Sequence, residues 1–165
     1  MLLSKLIMLV KKFFSIIKYL DRYSQYYFYY DKYDISKTFI FSGRDIELYG
    51  GGVIKINGPG YCGNRTVIQS VQGCKVVIGS NVSISHNVRI YTSSRNPQDI
   101  VSQRQHISYI EMDVLIGDNC WIGANVFINP GVVIGNNSVV GANSVVTKNI
   151  PPNSVFAGCP AKKIG

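Results

Sequence analysis

The stretch IGDNCWIGANVFINPGVVIGNNSVVGANSVV, residues 116–146, has a six-residue period. An aliphatic residue returns at every sixth position, a glycine follows four of the six, and a small or β-branched residue stands four places after each of the first five. The aliphatic positions are Ile116, Ile122, Ile128, Ile134, Val140 and Val146. An α-helix repeats every 3.6 residues and a simple strand every two. The period therefore predicts a short, flat β segment followed by a corner.

Three such sides close one triangular coil of roughly 18 residues. Ile116 is then expected to stack under Ile134, Ile122 under Val140, and Ile128 under Val146. Each coil buries a layer of aliphatic side chains against the next, while backbone hydrogen bonds run between coils. The sequence therefore predicts an all-β fold, a parallel β-helix.

The period extends upstream with one slip and one interruption. Ile78, Ile84 and Ile90 keep it. Ile56, Cys62, Ile68 and Cys74 keep it in a second phase, and the slip lies between Cys74 and Ile78, which are four residues apart rather than six. The distance from Ile90 to Ile116 is 26 residues, which is not a multiple of six. A loop is therefore expected to leave the coil at about residues 91–113.

The N-terminal residues 1–22 are predicted to form an amphipathic helix. On a helical wheel the leucines, isoleucines and phenylalanines of residues 2–20 occupy one half, and most lysines and serines the other. Lys11 and Lys12 at its centre argue against a transmembrane span, and no small-residue cleavage site indicates a signal peptide. The helix suits either an anionic membrane surface or packing against the protein itself or a neighbouring subunit. A tyrosine-rich connecting segment, 23–49, is expected before the repeat domain, 50–165.

Charge and cysteine content limit the classes of function. The net charge is +8, but much of the excess lies in the N-terminal segment, and the repeats contain no aromatic and basic nucleic-acid motif. We therefore expect no nucleic-acid partner. The four cysteines form no CxxC pair and, with two histidines, give no zinc-binding spacing. Cys62 and Cys120 are expected to be small buried residues, and no metal is expected.

Four motifs carry a resemblance to a known family. These are WIGAN at 121–125, INPGV at 128–132, VVTK at 145–148 and GCPAK at 158–162. Residues 50–165 resemble the hexapeptide-repeat acyltransferases, most closely the branch of maltose and galactoside O-acetyltransferases and of capsule and O-antigen sugar O-acetyltransferases. The resemblance implies a left-handed coil, acetyl-CoA as co-substrate, and a sugar or polysaccharide precursor as acceptor. It also implies a homotrimer in the cytoplasm, peripheral on the inner face of the membrane if the N-terminal helix binds lipid.

The resemblance also implies where acetyl-CoA lies, in a groove between two subunits. Backbone groups of Gly123, Ala124, Gly141 and Ala142 would line the pantetheine arm. Lys148, Lys162 and Lys163 would meet the nucleotide phosphates, although ordinary surface lysines are the alternative. Trp121 would lie near the acceptor end of the groove.

Transfer of an acyl group to a hydroxyl needs a general base and a donor for the oxyanion. Only His86 and His106 can serve as a base without a large pKa shift. Maltose-type relatives carry their histidine in a segment like IYTxxHP, but here IYTSSRNP, residues 90–97, has Arg95 or Asn96 at that place. Arg95 is therefore predicted to bind the acceptor.

His86 is the preferred base, because ISHNV at 84–88 resembles the I-x-H segment of some amino-sugar N-acetyltransferases of this fold. His106, in the predicted loop, is the alternative, and a carboxylate such as Asp99 or Glu111 would serve if neither histidine does. The non-catalytic alternatives are a corner residue bonded to the next coil for His86 and a solvated loop residue for His106.

Three other functions are weighed against sugar O-acetylation. A carbonic anhydrase of the same fold needs three histidine ligands for zinc, and two histidines cannot supply them. An amino-sugar N-acetyltransferase remains open, as does a non-catalytic scaffold of the same fold, which the absence of a histidine near Arg95 favours.

Overall fold

A computed structural model describes residues 2–164, which form two compact units, residues 2–32 and residues 33–164. Met1 and Gly165, the outermost residues of the predicted helix and repeat domain, lie outside the described residues. The first unit is one helix, α1, Leu2–Lys32. The predicted helix is present but does not end at residue 22, because neither glycine nor proline occurs before Gly43 to break it.

The second unit is a parallel β-helix with three faces. Face 1 has the strands β1 Asp34–Ile35, β4 Val53–Ile56, β7 Lys75–Ile78, β12 Val114–Ile116 and β15 Val133–Ile134. Face 2 has β2 Phe39–Phe41, β5 Gly60–Cys62, β8 Val82–Ile84, β13 Trp121–Ile122, β16 Val139–Val140, β18 Val155–Ala157 and β19 Lys162–Lys163. Face 3 has β3 Glu47–Tyr49, β6 Val67–Gln69, β9 Arg89–Tyr91, β14 Phe127–Ile128 and β17 Val145–Val146. All neighbours pair in parallel except β18 and β19.

The β-helix begins earlier than the sequence predicted. The segment 23–49 is not a connector, because its first part completes α1 and its remainder forms β1, β2 and β3, the first coil. Phe39, Ile46 and Leu48 are buried in that coil. Their spacing of seven and two residues hides the six-residue period, although the side chains fill the same interior.

The predicted stacking of aliphatic layers is confirmed. Ile116 pairs with Ile134, Ile122 with Val140, and Ile128 with Val146. All six side chains are buried, as are Cys62 and Cys120. Burial raises the pKa of both thiols, as expected for small core residues.

The slip and the interruption of the period have different structural causes. Ile68 and Ile78 are ten residues apart because a turn at Val71–Cys74 widens that corner, where the Cys74 N–H donates to the carbonyl oxygen of Val71. Cys74 lies in this turn rather than at an inward position, which corrects its place in the predicted repeat.

The predicted excursion is confirmed and has structure of its own. It contains β10 Ser93–Arg95, the short helix α2 Pro97–Val101, and β11 Tyr109–Glu111, which pairs antiparallel with β10.

Asparagines with positive φ turn two of the three corners. At the corner from face 1 to face 2, the side-chain amides of Asn81, Asn119, Asn137 and Asn153 form a continuous hydrogen-bonded ladder. Asn87, Asn125 and Asn143 form a second ladder at the corner from face 2 to face 3. The φ angles lie between 55° and 59°, a left-handed conformation that asparagine tolerates better than most residues.

Candidate active site

The corner from face 2 to face 3, called here the 2–3 corner, brings several predicted site residues into one column. It comprises the first residues after β5, β8, β13 and β16, at 63–65, 85–87, 123–125 and 141–143. The Asn125 N–H donates to the carbonyl oxygen of His86 at 2.9 Å, and the Asn143 N–H donates to that of Ala124 at 2.8 Å. His86, Ala124 and Ala142 therefore lie on three successive coils.

Close contact between coils explains the small residues of this column. A Cβ on Gly123 would lie 2.6 Å from the backbone nitrogen of Ala142, and one on Gly141 would lie 2.8 Å from the Cβ of Ala157. The glycines are thus required by the coil itself. The alanines beside them project little beyond the backbone, and Ala142 is exposed. The column is therefore a strip with small side chains, exposed at His86 and Ala142.

His86 is exposed, but one of its ring nitrogens is occupied. Its Nδ1 atom accepts a hydrogen bond from the Asn64 N–H, 3.0 Å away on the preceding coil. A neutral imidazole that accepts at Nδ1 carries its hydrogen on Nε2. The exposed side of the ring therefore presents an N–H donor rather than a lone pair. This geometry matches the corner-residue alternative left open by the sequence.

Arg95 and His106 belong to a different part of the site. Both are exposed and both lie in the excursion, which leaves the coil after face 3 and returns at face 1. Arg95 is paired with Tyr109 in the β10–β11 hairpin, and His106 lies in the connection between α2 and β11. Within one chain, the excursion and the 2–3 corner start from opposite edges of face 3.

The connection that carries His106 is held by a buried carboxylate. Asp99 is 1% exposed, accepts hydrogen bonds from both the N–H and the Oγ of Ser108, and pairs with Arg104 at 3.1 Å. These Ser108 hydrogen bonds, helped by Arg104, lower the pKa of Asp99. Asp99 is therefore an ionised structural group, which argues against the role of reserve base. Glu111 is exposed and accepts from Ser93 Oγ at 3.4 Å.

The remaining predicted residues surround the 2–3 corner or lie beyond face 3. Trp121, 56% exposed, lies on the outer side of face 2, two residues before Gly123. Lys162 pairs with Ala157 next to Gly141, so Lys162 and Lys163 lie at the end of the alanine column. Lys148 is exposed after β17, near the edge from which the excursion leaves. Within residues 2–164, no three histidine, cysteine, aspartate or glutamate side chains converge on a metal site.

Comparison with known proteins identifies the family of this chain. Residues 113–148 match the model of the bacterial transferase hexapeptide with six repeats. A hexapeptide-repeat acetyltransferase of Vibrio cholerae O1 biovar eltor, crystallised with acetyl-coenzyme A, is 30% identical to this chain, with a TM-score of 0.74. The match covers 88% of this chain and 78% of the Vibrio chain. The chain belongs to the hexapeptide-repeat acetyltransferases. Its fold is the left-handed parallel β-helix that the sequence predicted.

Two further proteins are similar to this chain. A maltose O-acetyltransferase of Clostridium difficile 630 is 36% identical, with a TM-score of 0.59, over 78% of this chain and 70% of that one. The Saccharomyces cerevisiae protein YJL218W, whose name assigns it provisionally to the acetyltransferases, is 49% identical over 114 residues, 69% of this chain. The chain spans only 56% of the length of that yeast protein.

The sequence did not predict the contact of Asn64 with His86 or the two asparagine ladders. The signal for the ladders was present, because an asparagine stands three places after most inward aliphatic residues, as Asn119 follows Ile116. The contact between Asn64 and His86 had no such signal, because it joins residues 22 apart across a coil of irregular length.

Proposed function

We propose that this acetyltransferase transfers the acetyl group of acetyl-CoA to a hydroxyl of a sugar or polysaccharide precursor. The observation that carries the proposal is the column of His86, Ala124 and Ala142 along the 2–3 corner. The small side chains of Ala124 and Ala142 would let the amide-bearing pantetheine arm approach the backbone of this corner. The acetyl-CoA complex of the Vibrio relative and the maltose substrate named for the Clostridium relative support the choice of donor and acceptor.

The lysines supply the charge that the nucleotide end of acetyl-CoA requires. Lys162 and Lys163, exposed at the end of the column, would meet phosphates of acetyl-CoA bound along it. Lys148 is separated from that column by face 3. It would therefore reach the phosphates from a neighbouring subunit.

The reaction then follows the chemistry of acyl transfer. The acceptor oxygen attacks the thioester carbon as a base removes the hydroxyl proton, and the carbonyl oxygen becomes an oxyanion. Collapse of this intermediate breaks the carbon–sulfur bond, and the CoA thiolate leaves and takes up a proton. His86 presents Nε2–H at the column, and we assign it to donate to the oxyanion. His106 is then the base, since it is the second histidine of the chain.

This assignment requires more than one subunit. His106 lies in the excursion and His86 at the opposite edge of face 3. A homotrimer, in which the excursion of one subunit lies over the 2–3 corner of the next, would bring the two histidines together. Arg95 would enter with the same excursion, while Trp121 lies beside the column on face 2. Together they would hold the sugar, the indole by stacking and the guanidinium by hydrogen bonds.

Mass spectrometry of acceptors after incubation with acetyl-CoA tests the function. We expect a mass increase of one acetyl group on a maltose- or galactoside-type sugar and release of one CoA for each. Transfer only to amino groups, or no transfer to any sugar from a panel of hexoses and their glycosides, would contradict it. The donor places the reaction in the cytoplasm, where acetyl-CoA is made available.

A further inference from the structure

Helix α1 exposes a continuous apolar half. The large apolar side chains from Leu3 to Leu20 are each at least 44% exposed, including Leu9 at 66%, Phe13 at 61% and Leu20 at 57%. Spaced at about 100° per residue, the leucines, isoleucines, valine and phenylalanines fall within roughly half of the helix circumference. An apolar surface of this size on an exposed helix marks an interaction site.

Basic residues border this apolar half on both sides. Lys11 and Lys18 lie at one edge of it, and Lys5 and Lys12 at the other. No acidic residue occurs in the sequence before Asp21. Lysines at both edges can extend their charged ends away from the apolar surface while their methylene groups remain on it.

We propose that α1 binds an anionic phospholipid bilayer, lying in its surface plane. The apolar half would enter the boundary between headgroups and acyl chains, and the bordering lysines would meet lipid phosphates. In the described part of the chain no helix is long and apolar enough to cross a membrane. A second copy of residues 2–20 is a poorer occupant, because pairing two apolar halves brings their lysine borders together and no acidic residue lies within that segment.

Flotation of the full-length chain with lipid vesicles tests this proposal independently of acetyl transfer. Vesicles of phosphatidylcholine containing about 30 mol% phosphatidylglycerol should carry the protein at low salt, and salt should weaken the binding. Vesicles of phosphatidylcholine alone should bind at least about tenfold more weakly. Lys11→Gln with Lys12→Gln should lower the partition coefficient by about tenfold or more, since each lysine near an anionic surface contributes roughly a fivefold factor.

The matched control removes the same charge elsewhere. Lys162→Gln with Lys163→Gln lowers the net charge equally but leaves α1 unchanged, so vesicle binding should stay within about twofold of the wild type. Equal losses in the two variants would overturn the proposal, because they would show attraction by net charge alone. Failure of the wild type to float with the anionic vesicles at low salt would also overturn it.

A fluorescence experiment tests which half of α1 enters the lipid. Phe13→Trp lies in the apolar half and Ser15→Trp in the opposite half. Brominated acyl chains should quench the tryptophan at position 13 and leave position 15 close to the background given by Trp121. Equal quenching would contradict the orientation. Dissociation of the oligomer by Leu9→Glu with Phe13→Glu would instead assign this face to contacts between copies and overturn the proposal.

Discussion

The Nδ1 atom of His86 accepts a hydrogen bond from the backbone N–H of Asn64, at 3.0 Å. Because this bond fixes the ring hydrogen on Nε2, the histidine can donate toward a ligand in the 2–3 corner but cannot remove a proton from it. We therefore propose that His86 acts as an oxyanion donor rather than as the base, and that His106 is the base.

Substitutions that keep or remove a donor distinguish these roles. His86→Ala should lower kcat by about 100-fold to 1,000-fold, the usual cost of removing one oxyanion donor. His86→Gln should restore most of this loss, because the glutamine amide can place an N–H near the position of Nε2. Steady-state kinetics with acetyl-CoA and an accepted sugar measures both. A glutamine variant as inactive as the alanine variant would indicate that His86 is the base.

The proposed base, His106 in the excursion, can be tested in the same way. His106→Ala should lower kcat by about 100-fold to 10,000-fold and leave the Kd for acetyl-CoA almost unchanged, because a base does not hold the co-substrate. Wild-type turnover by this variant would exclude His106 as the base.

The structure predicts acid lability in the excursion around Asp99. Its pKa is lowered from 3.8 by Ser108 and Arg104, so its stabilising contribution is complete above the unfolded-state value and disappears as pH falls through the lower folded-state value. Relative to the intrinsic exchange rate at each pH, hydrogen exchange of the Ser108 amide should therefore accelerate at acidic pH. Asp99→Asn should accelerate it already at neutral pH and remove this acid dependence, whereas Glu111→Gln should not. Unchanged protection in the Asp99 variant would contradict the assignment.

The asparagine ladder should contribute measurably to the stability of the coil. Asn137 has a φ of 57° and bonds to both Asn119 and Asn153. Asn137→Ala should lower the free energy of unfolding by about 2–4 kcal/mol, since it removes two hydrogen bonds and places alanine in the left-handed region. Asn137→Gly should cost about 1–2 kcal/mol less, because glycine accepts that conformation. Equal losses in denaturant unfolding would show that the backbone conformation contributes nothing.

A site shared between subunits predicts complementation. His106→Ala removes the proposed base and Ala142→Tyr blocks the proposed acetyl-CoA strip, so each homotrimer should be inactive. Equal amounts of the two variants are unfolded, mixed and refolded together. About one quarter of wild-type activity should return, because a quarter of the interfaces in the mixed trimers then combine an intact excursion with an intact corner. Absence of any recovery, despite mixed trimers in native mass spectrometry, would place the whole site in one subunit.

The regular coils could be predicted from the sequence, and the irregular parts could not. Ile116 and its partners repeat at one interval, so their stacking follows from spacing alone. Phe39 and Leu48 fill the same interior in the first coil, but their spacing hides the period, so the sequence predicts a connector there. The base was uncertain for a similar reason, because the tautomer of His86 depends on Asn64, a backbone donor that no side-chain pattern records.

Calorimetric titration of acetyl-CoA tests most directly whether acetyl-CoA lies along the 2–3 corner, as we propose. Ala142→Tyr fills the exposed strip, while Asn136→Tyr places the same side chain at the equivalent exposed position of the other asparagine-lined corner. Ala142→Tyr should weaken binding by at least about 100-fold, the scale expected when a bulky side chain occupies a ligand site, and Asn136→Tyr should bind as the wild type does. Wild-type affinity in Ala142→Tyr, with loss of binding in Asn136→Tyr, would contradict the account.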